Sequence, residues 1–344
     1  MAKALYNEAK NVLLTGGGGS IGVHVLAHIM HNTKWDVVMI DSFHHKGYSE
    51  RITKVCEDHP EWLERFKVIQ HDLTCPIPPA MIKEIGPIDY VLHLAAMSDV
   101  FFSVESPVFT IQNNVNSTLV MLEYAREIKP EQFIYFSTDE VYGPVEKGTA
   151  HKEWDTHRPS NAYSASKAAS EDICYAYWRS YGVPLIITNT MNNFGEMQSA
   201  SKFPVMIQKA VENGDTVSIH GSEKETGTRF YLHSRNAADA LLHIIKQGPK
   251  NHEIGEMDEP LRYHVVGEES SCVSNQGLAD TISELMEKDL KSEVVDFHKD
   301  NPGHDIHYGL QDNNLRSSGW EQPVSFKDSL KNTIDWQTEN KDWI

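Results

Sequence analysis

The sequence has few cysteines and no excess of positive charge. Its four cysteines, at positions 56, 75, 174 and 272, lie far apart and form no CxxC pair, so neither a disulfide framework nor a zinc knuckle is indicated. The formal net charge of −18 argues against nucleic acid or an anionic membrane as a partner, because either requires a basic face. A reducing cytoplasm fits this composition best.

Long apolar runs and compact metal-ligand motifs are also missing. The first residues, MAKALYNEAK, lack the apolar segment of a signal peptide, and no later run is long enough to span a bilayer. Histidine is abundant at 18 residues, but no HExxH motif or compact ligand cluster occurs. We therefore expect a cytoplasmic protein with no membrane partner and no metal site.

The first half alternates short apolar runs with helix-length segments. Runs that are apolar on both faces are typical of parallel strands covered by helices on both sides. Strands are predicted at 11–14, 36–40, 66–70, 88–96, 132–138 and 184–190. The predicted fold class is α/β, a doubly wound Rossmann-type parallel sheet with a smaller C-terminal substrate domain.

The regular alternation of apolar runs and helix-length segments ends after residue 193, and loops, turns and short helical patterns follow. We predict that residues 1–192 and about 234–266 form the Rossmann-type domain. Residues 193–233 and 267–344 then form the second domain. No low-complexity linker separates the two, so the boundary is soft.

A glycine-rich stretch, TGGGGSIG, follows the first predicted strand and opens a helical pattern. The spacing of Gly16, Gly19 and Gly22 permits a tight turn and lets backbone amides approach a pyrophosphate. Asp41 ends the second strand, where a carboxylate accepts the ribose hydroxyls of NAD and repels the phosphate of NADP. Asp72 ends the third strand and could meet the adenine, although a helix N-cap is an equally good interpretation. The cofactor predicted is NAD.

Two further motifs carry reactive side chains. YSASK places Tyr163 and Lys167 on one helical face, where an ammonium is expected to lower the pKa of the phenol and make it a base. The stretch FIYFSTDEVYG ends a predicted strand with Asp139 beside Glu140. Adjacent acids at a strand end can simply cap a turn, or they can serve as an acid and a base.

Together these motifs resemble the extended short-chain dehydrogenase/reductase family, and within it the nucleotide-sugar 4,6-dehydratases of the dTDP-glucose type. The resemblance rests on TGGGGSIG, HLAAMSDV, STDEVYG, YSASKAASED, TNTMNNFG and NPGHDIHYGL. It implies that Tyr163 and Lys167 oxidise carbon 4 of the sugar with Thr138 binding the hydroxyl. Glu140 would then remove the proton on carbon 5 while Asp139 protonates the leaving hydroxyl on carbon 6.

The resemblance also assigns binding residues, one position at a time. For the cofactor it implies Gly16, Gly19, Ser20, Ile21, Gly22, Asp41, Asp72, Leu73, Leu94, Ala95, Ala96, Ser98, Asn113, Tyr163 and Lys167. For the nucleotide-sugar substrate it implies Ser98, Asn192, Asn193, Lys202, Arg229 and His304. Asn192 and Asn193 could equally cap a loop.

Several positions depart from the family pattern. Asn301 stands where the family has an arginine, Met97 replaces a glutamate, and Phe230 and Tyr231 follow Arg229 in place of Asp-Trp. The nucleotide and sugar therefore stay open. So do a nucleotide-hexosamine 5,6-dehydratase, a 4-epimerase and a non-catalytic binding module as alternatives.

The resemblance further implies a homodimer. The helical patterns at 114–128 and 163–182 match those that form a dimerising four-helix bundle in the family. Tyr177 and Trp178 could contribute to that interface or to the core.

Overall fold

The computed structural model describes residues 8–44, 47–57, 59–221, 226–248, 259–296 and 306–343. A parallel sheet of seven strands forms its centre. In chain order the strands of this sheet are β1 (Asn11–Thr15), β2 (Asp36–Asp41), β3 (Phe66–Gln70), β4 (Tyr90–His93), β5 (Gln132–Thr138), β6 (Leu185–Thr190) and β10 (Leu261–Val265). The spatial order is β10-β6-β5-β4-β1-β2-β3. The predicted fold class is confirmed.

Helices connect the strands and flank the sheet. Those of the first part are α1 (Gly22–Asn32), α2 (Ser49–Glu57), α3 (Pro79–Ile85), α4 (Val100–Glu105), α5 (Pro107–Ile128) and α6 (Ala162–Tyr181). Short 3-10 helices span Pro60–Glu64 and Asp139–Tyr142. We call the second of these the Asp139 turn.

Alternating residues of β1 show how both faces of the sheet are buried. Val12 and Leu14 pack with α1 and the helix α8 (Ser234–Gln247), whereas Leu13 packs on the opposite side with α5 and α6. Trp178 of α6 belongs to this second cluster, so it is a core residue. A sheet with two buried faces explains why the predicted strands read as continuous apolar runs.

The C-terminal part contributes smaller sheets and further helices. Its remaining strands are β7 (Asn192–Phe194), β8 (Thr216–Gly221), β9 (Thr228–His233), β11 (Cys272–Ser274) and β12 (Lys291–Asp296). Its remaining helices are α7 (Phe203–Asn213), α9 (Asn275–Met286), α10 (Asn313–Ser317) and α11 (Phe326–Glu339), with 3-10 helices at Glu269–Ser271 and Lys341–Trp343. β7 and β11 flank β9, and β8 pairs with β12.

Some late segments return to the first core. Strand β10 pairs with β6, and Leu315 and Trp320 pack into the cluster that also holds Val12. The division into two domains with the predicted boundaries stays a prediction. What the topology fixes is a crevice at the carboxyl ends of β1 and β4, where the strand order reverses and ligands bind in such sheets.

Candidate active site

The glycine-rich loop leaves the carboxyl end of β1 and leads into α1. Gly16 has a φ of +72°, and a Cβ there would lie 2.8 Å from the backbone of Ala95. A Cβ at Gly22 would lie 2.1 Å from the carbonyl oxygen of Gly16. Only glycine therefore allows the loop, the helix and the end of β4 to lie so close together. Ser20 and Ile21, half-buried, complete the loop before an eleven-residue helix whose N-terminus favours anions.

Asp41 fixes the position of this loop. Its Oδ2 accepts a hydrogen bond from the backbone N–H of Gly18 at 2.8 Å, and its Oδ1 accepts one from Phe43 at 2.8 Å. The side chain is buried at the end of β2. The structure thus brings the predicted ribose carboxylate and the glycine-rich loop into direct contact.

Asp72 lies near the end of β3, the next strand of the sheet. Its Oδ1 accepts hydrogen bonds from the backbone N–H of Thr74 at 2.9 Å and from the Thr74 hydroxyl at 2.8 Å. These bonds, foremost the backbone one, lower the pKa of Asp72 against the effect of its burial. Asp72 therefore caps a turn and not a helix, so the helix N-cap interpretation was wrong, and contact with adenine stays a prediction. Leu73 is buried beside it.

The segment after β4 lies against the glycine-rich loop. The backbone N–H of Ala95 donates to the Thr15 hydroxyl at 3.1 Å. Leu94 and Ala96 are half-buried, as is Ala95, and Ser98 is exposed.

Asparagines of α5 hold the next residue of this segment. Asn114 is buried and clamps Met97 by accepting from its N–H at 2.7 Å and donating to its carbonyl at 3.0 Å. The predicted cofactor residue Asn113 donates to the Asn114 side chain at 3.1 Å. The sequence motifs did not indicate Asn114, although it stands next to a predicted residue.

The Asp139 turn carries an acid in an unusual state. The Thr138 hydroxyl donates to Oδ1 of Asp139 at 3.0 Å, while Oδ2 is buried and accepts no hydrogen bond from the described part of the chain. Burial, followed by the charge of Glu140, raises the pKa of Asp139 to about 7. Arg229 acts in the opposite direction, which places its charge near this carboxyl. A carboxyl group with such a pKa can be protonated at neutral pH.

Tyr163 comes next to the same turn. Burial, then the charges of Glu140 and Asp139, raises the pKa of its phenol far above the ordinary value, while a hydrogen bond with Thr138 lowers it. Four predicted catalytic residues, Thr138, Asp139, Glu140 and Tyr163, are therefore brought together.

Lys167 does not act on the phenol as predicted. Its Nζ donates to the carbonyl oxygen of Phe136 at 2.7 Å and lies 4.1 Å from the centre of the Tyr135 ring. Burial lowers the pKa of Lys167 to about 8. The expectation that this lysine lowers the pKa of Tyr163 was wrong for this state, because the ammonium points to the strand and the phenol lies beside carboxylates.

Glu140 has a partner that the motifs did not indicate. Asn161 donates from Nδ2 to Oε2 of Glu140 at 3.0 Å, and its Oδ1 accepts from the Ser164 N–H at 2.8 Å as the N-cap of α6. An asparagine just before a helical pattern is a recognisable cap signal. The contact with Glu140 requires the fold.

The predicted substrate residues occupy several places. Arg229, on β9, is buried, donates from Nη1 to the carbonyls of Thr228 and Ile306, and lies 4.5 Å from the centre of the Tyr308 ring. Lys202 is the N-cap residue of α7. His304, like Asn301, lies outside the described residues.

The two asparagines after β6 differ in their contacts. Asn193 donates to the Thr190 hydroxyl and the Met191 carbonyl at 2.9 Å each, which is a loop-capping arrangement, but its Oδ1 is buried without a partner in the described chain. Asn192 is half-buried at the start of β7.

Arg51 is a buried cation that the sequence motifs did not indicate. From α2, it donates to the carbonyl of Gly18 at 2.8 Å and to that of Met197 at 2.9 Å. It thereby joins the glycine-rich loop to the segment before α7. Nothing in the residues around Arg51 marks it, because its acceptors are carbonyl groups from distant segments.

The described residues contain neither a metal-ligand cluster nor a membrane-spanning helix. No group of three His, Cys, Asp or Glu residues in the described ranges is arranged to hold a metal ion. No helix among the residues that the structure describes is both long and apolar enough to cross a membrane.

Known proteins resemble this chain along most of its length. The chain is 31% identical over 357 residues to dTDP-glucose 4,6-dehydratase 1 of Escherichia coli (strain K12), an alignment that covers 97% of this chain and 94% of that protein. A crystal structure of dTDP-glucose 4,6-dehydratase from Streptomyces venezuelae, with NAD and TYD bound, has a TM-score of 0.83 at 25% identity and covers 97% of this chain and 98% of that one.

A crystal structure of UDP-glucuronic acid 4-epimerase from Bacillus cereus, in complex with UDP-glucuronic acid and NAD, has the same TM-score of 0.83. It is 22% identical, with coverage of 96% of this chain and 99% of that chain, so it shows the fold alone.

A family model also matches most of the chain. The model described as GDP-mannose 4,6 dehydratase matches residues 13–333. The predicted resemblance to nucleotide-sugar 4,6-dehydratases is confirmed by this match and by the relatives. This chain belongs to the GDP-mannose 4,6 dehydratase family.

Proposed function

We propose that the protein is an NAD-dependent nucleotide-sugar dehydratase, a hydro-lyase that oxidises carbon 4 of the sugar and eliminates water across carbons 5 and 6. The observation that carries this proposal is the pairing of Asp139 with Glu140 beside Tyr163. Asp139 combines a pKa raised to about 7 with a buried oxygen that has no partner in the described chain. An epimerase has no use for a proton donor and a second carboxylate at this place.

The glycine-rich loop fits NAD. The close approach of Gly16 and Gly22 to neighbouring backbone leaves the loop amides uncovered by side chains, and Asp41 stands beside them. Leu73, Ala95 and the neighbouring predicted residues would surround the rest of the cofactor. When bound there, NAD would supply a cationic ring that accepts the hydride from carbon 4 and later returns it to carbon 6, while a proton returns to carbon 5.

The redox half of the reaction is assigned to Thr138, Tyr163 and Lys167. Tyr163 removes the proton of the carbon 4 hydroxyl, which Thr138 holds by a hydrogen bond. Because burial and the neighbouring carboxylates raise the pKa of the phenol, its deprotonation depends on positive charge brought in with the cofactor. Lys167 holds the end of β5 through the Phe136 carbonyl.

The elimination half is assigned to the two carboxyl groups. A ketone at carbon 4 makes the hydrogen on carbon 5 acidic, and Glu140 accepts that proton. Protonated Asp139 gives its proton to the hydroxyl on carbon 6, which leaves as water. General acid and base catalysis of this kind contributes about a hundredfold or more per group.

The anionic end of the substrate needs cations in so acidic a protein. Arg229 is supported as one of them because its charge acts on Asp139 while it is buried at the site. Lys202, Asn192, Asn193, Ser98 and His304 are proposed for the remaining contacts with the sugar and phosphates.

The proposal includes a homodimer formed through a four-helix bundle of α5 and α6 from each subunit. These two helices pack side by side. The part of the chain from α4 into α5 exposes large apolar side chains, which an association of two copies would cover. They are Phe101, Val104, Val108, Phe109, Ile111 and Leu119.

A cytoplasmic location is also part of the proposal, and it is supported by four unbridged cysteines.

Product masses test the proposal. The purified protein, loaded with NAD, is incubated with dTDP-, UDP-, GDP- and CDP-sugars. Loss of one water from at least one of them is expected, with a ketone signal in the product. An unchanged mass with altered stereochemistry, or no conversion of any of them, contradicts the proposal. A product without the ketone but with a 5,6 double bond contradicts the return of hydride to carbon 6.

A further inference from the structure

A buried group of polar side chains lies directly behind the Asp139 turn. Glu171 of α6 and Arg262 of β10 form an ion pair at 2.6 Å, with side-chain exposures of 0% and 2%. Asn189 of β6 donates a hydrogen bond to Glu171, and the hydroxyl of Tyr142, at the end of the turn, accepts one from Arg262. We call these four residues the Glu171 cluster.

The cluster holds the turn at its beginning and at its end. Asn189 donates from Nδ2 to Oε1 of Glu171 at 2.7 Å and to the backbone carbonyl of Thr138 at 3.0 Å. Arg262 donates from Nη1 to the Tyr142 hydroxyl at 2.9 Å and to the Asn189 side chain at 3.1 Å. The backbone that carries Asp139 and Glu140 is thus attached to one ion pair on both sides.

The same ion pair is attached to the helix that carries the redox residues. Tyr163, Lys167 and Glu171 are spaced four residues apart on α6, so they share one helical face. The negative charge of Glu171 raises the pKa of Lys167 against the lowering caused by its burial. Glu171 therefore contacts the turn through its two partners and acts on the lysine along its own helix.

Stability alone gives little reason for such a pair in this place. Removing two charges from water costs free energy, and apolar residues of similar volume often replace a buried ion pair without loss of stability. The Nε of Arg262 is in addition buried without a hydrogen-bond partner in the described chain. A buried, incompletely satisfied ion pair directly behind reactive groups calls for a role in their geometry.

We propose that the Glu171 cluster is a positioning device that fixes the Asp139 turn relative to the Tyr163 helix. The inference rests on the proposed function, in which Tyr163 acts on carbon 4 while Glu140 and Asp139 act on carbons 5 and 6 of the same sugar. A displacement of about 1 Å between reacting groups can slow a step about a hundredfold. Loosening the ion pair or its bond to Tyr142 should therefore slow elimination more than oxidation, because the bond from Asn189 to the Thr138 carbonyl remains and Thr138 contacts Tyr163.

The first test measures the turn without relying on turnover. Tyr142→Phe removes the hydroxyl that accepts from Arg262 at 2.9 Å and that also contacts the Glu153 carbonyl at 2.8 Å and His264 Nε2 at 2.9 Å. Amide hydrogen exchange of residues 138–143 in the NAD-loaded protein should become about tenfold faster. Tyr90→Phe is the matched control, since Tyr90 is also buried and hydrogen-bonded, to Glu131, but lies at the amino end of β4, whereas the turn follows the carboxyl end of β5. Exchange in the turn should not change in this control.

The second test separates the half-reactions. In a single turnover, Tyr142→Phe should form NADH within about twofold of the parent rate and lose water about tenfold more slowly. The double variant Glu171→Gln with Arg262→Met removes both charges together, and it should show the same division between the steps even where its stability equals that of the parent.

The outcomes are distinguishable. Unchanged amide exchange of the turn in both variants overturns the positioning role, as does an equal fall of oxidation and elimination. If the parent protein converts no nucleotide sugar, the proposed function fails, and the amide exchange still decides whether the cluster holds the turn.

Discussion

Asn161 joins the start of helix α6 to the side chain of Glu140, with Nδ2 donating to Oε2 at 3.0 Å while Oδ1 caps the helix through Ser164. One side chain thereby links the helix that presents Tyr163 to the carboxylate assigned as the base. The position of that carboxylate depends on a hydrogen-bond donor that belongs to the helix cap.

The two roles of Asn161 can be separated by substitution. Asn161→Ser keeps a good N-cap but loses the donor to Glu140, so proton removal from carbon 5 should slow about tenfold at unchanged stability. Asn161→Ala loses both, and should additionally lower the free energy of unfolding by about 1 kcal/mol. Solvent deuterium exchange at carbon 5 and denaturant unfolding measure the two effects. Equal exchange rates in the serine variant and the parent would remove the donor from the mechanism.

The pKa of Asp139 predicts a pH dependence of elimination. Asp139 acts as an acid, so it must be protonated, and its pKa is raised to about 7 by burial and by Glu140. The rate of water loss should therefore fall as pH rises through about 7, roughly tenfold for each further unit. Asp139→Asn should be slow at every pH and lack this decline. Single-turnover rates of water loss between pH 5 and 9 provide the measurement, and a parent profile that is flat across neutrality counts against Asp139 as the acid.

Asp41 should determine the preference for NAD over NADP. Asp41→Asn keeps the shape and an acceptor for the Gly18 amide but removes the charge that repels the additional phosphate. The ratio of NAD to NADP affinity should fall about tenfold, or about 1.4 kcal/mol, in titrations of the two cofactors. Asp72→Asn, at the end of the neighbouring strand, is the control and should keep the parent ratio. If the ratio of NAD to NADP affinity is unchanged in Asp41→Asn, other residues select the cofactor.

The proposed dimer depends on an apolar surface at the start of α5. Val108 is 67% exposed there, and Leu63, in the 3-10 helix Pro60–Glu64, is 61% exposed. Val108→Lys should convert a dimer to a monomer at micromolar concentration, because it brings a charge into the contact, whereas Leu63→Lys should leave the mass unchanged. Sedimentation equilibrium gives both masses. A parent protein with the mass of one chain contradicts the dimer itself.

The strands buried on both faces could be predicted from the sequence, whereas the last strand of the sheet could not. The six runs predicted for the first half correspond to β1 to β6. Most of them are largely apolar and buried, whereas β3, at one edge of the sheet, contains Lys67 and Gln70 and leaves Val68 exposed. Strand β10 has the sequence LRYHV, in which Arg262 and His264 are buried through polar contacts with other segments. Such contacts with distant segments cannot be predicted from the hydrophobicity of the strand itself.

The site shows the same limit. The spacing of Tyr163 and Lys167 predicts a shared helical face, but not that the ammonium is turned to the Phe136 carbonyl. The two acids at the end of β5 are visible in the sequence, but the sequence does not show that Asp139 is more deeply buried than Glu140. Direction, burial and long-range partners come from the packing of distant segments.

In the proposed dehydration Glu140 removes the proton from carbon 5. Glu140→Gln keeps the shape of the side chain but cannot accept a proton, so the NAD-loaded variant should oxidise the sugar, accumulate bound NADH and incorporate no deuterium at carbon 5 in heavy water. Asp139→Asn, the matched control, should retain that exchange and lose water slowly. The direct measurement is the deuterium content at carbon 5 of the recovered sugar by mass spectrometry. No deuterium is expected in Glu140→Gln, and exchange as fast as in the parent would exclude Glu140 as the base.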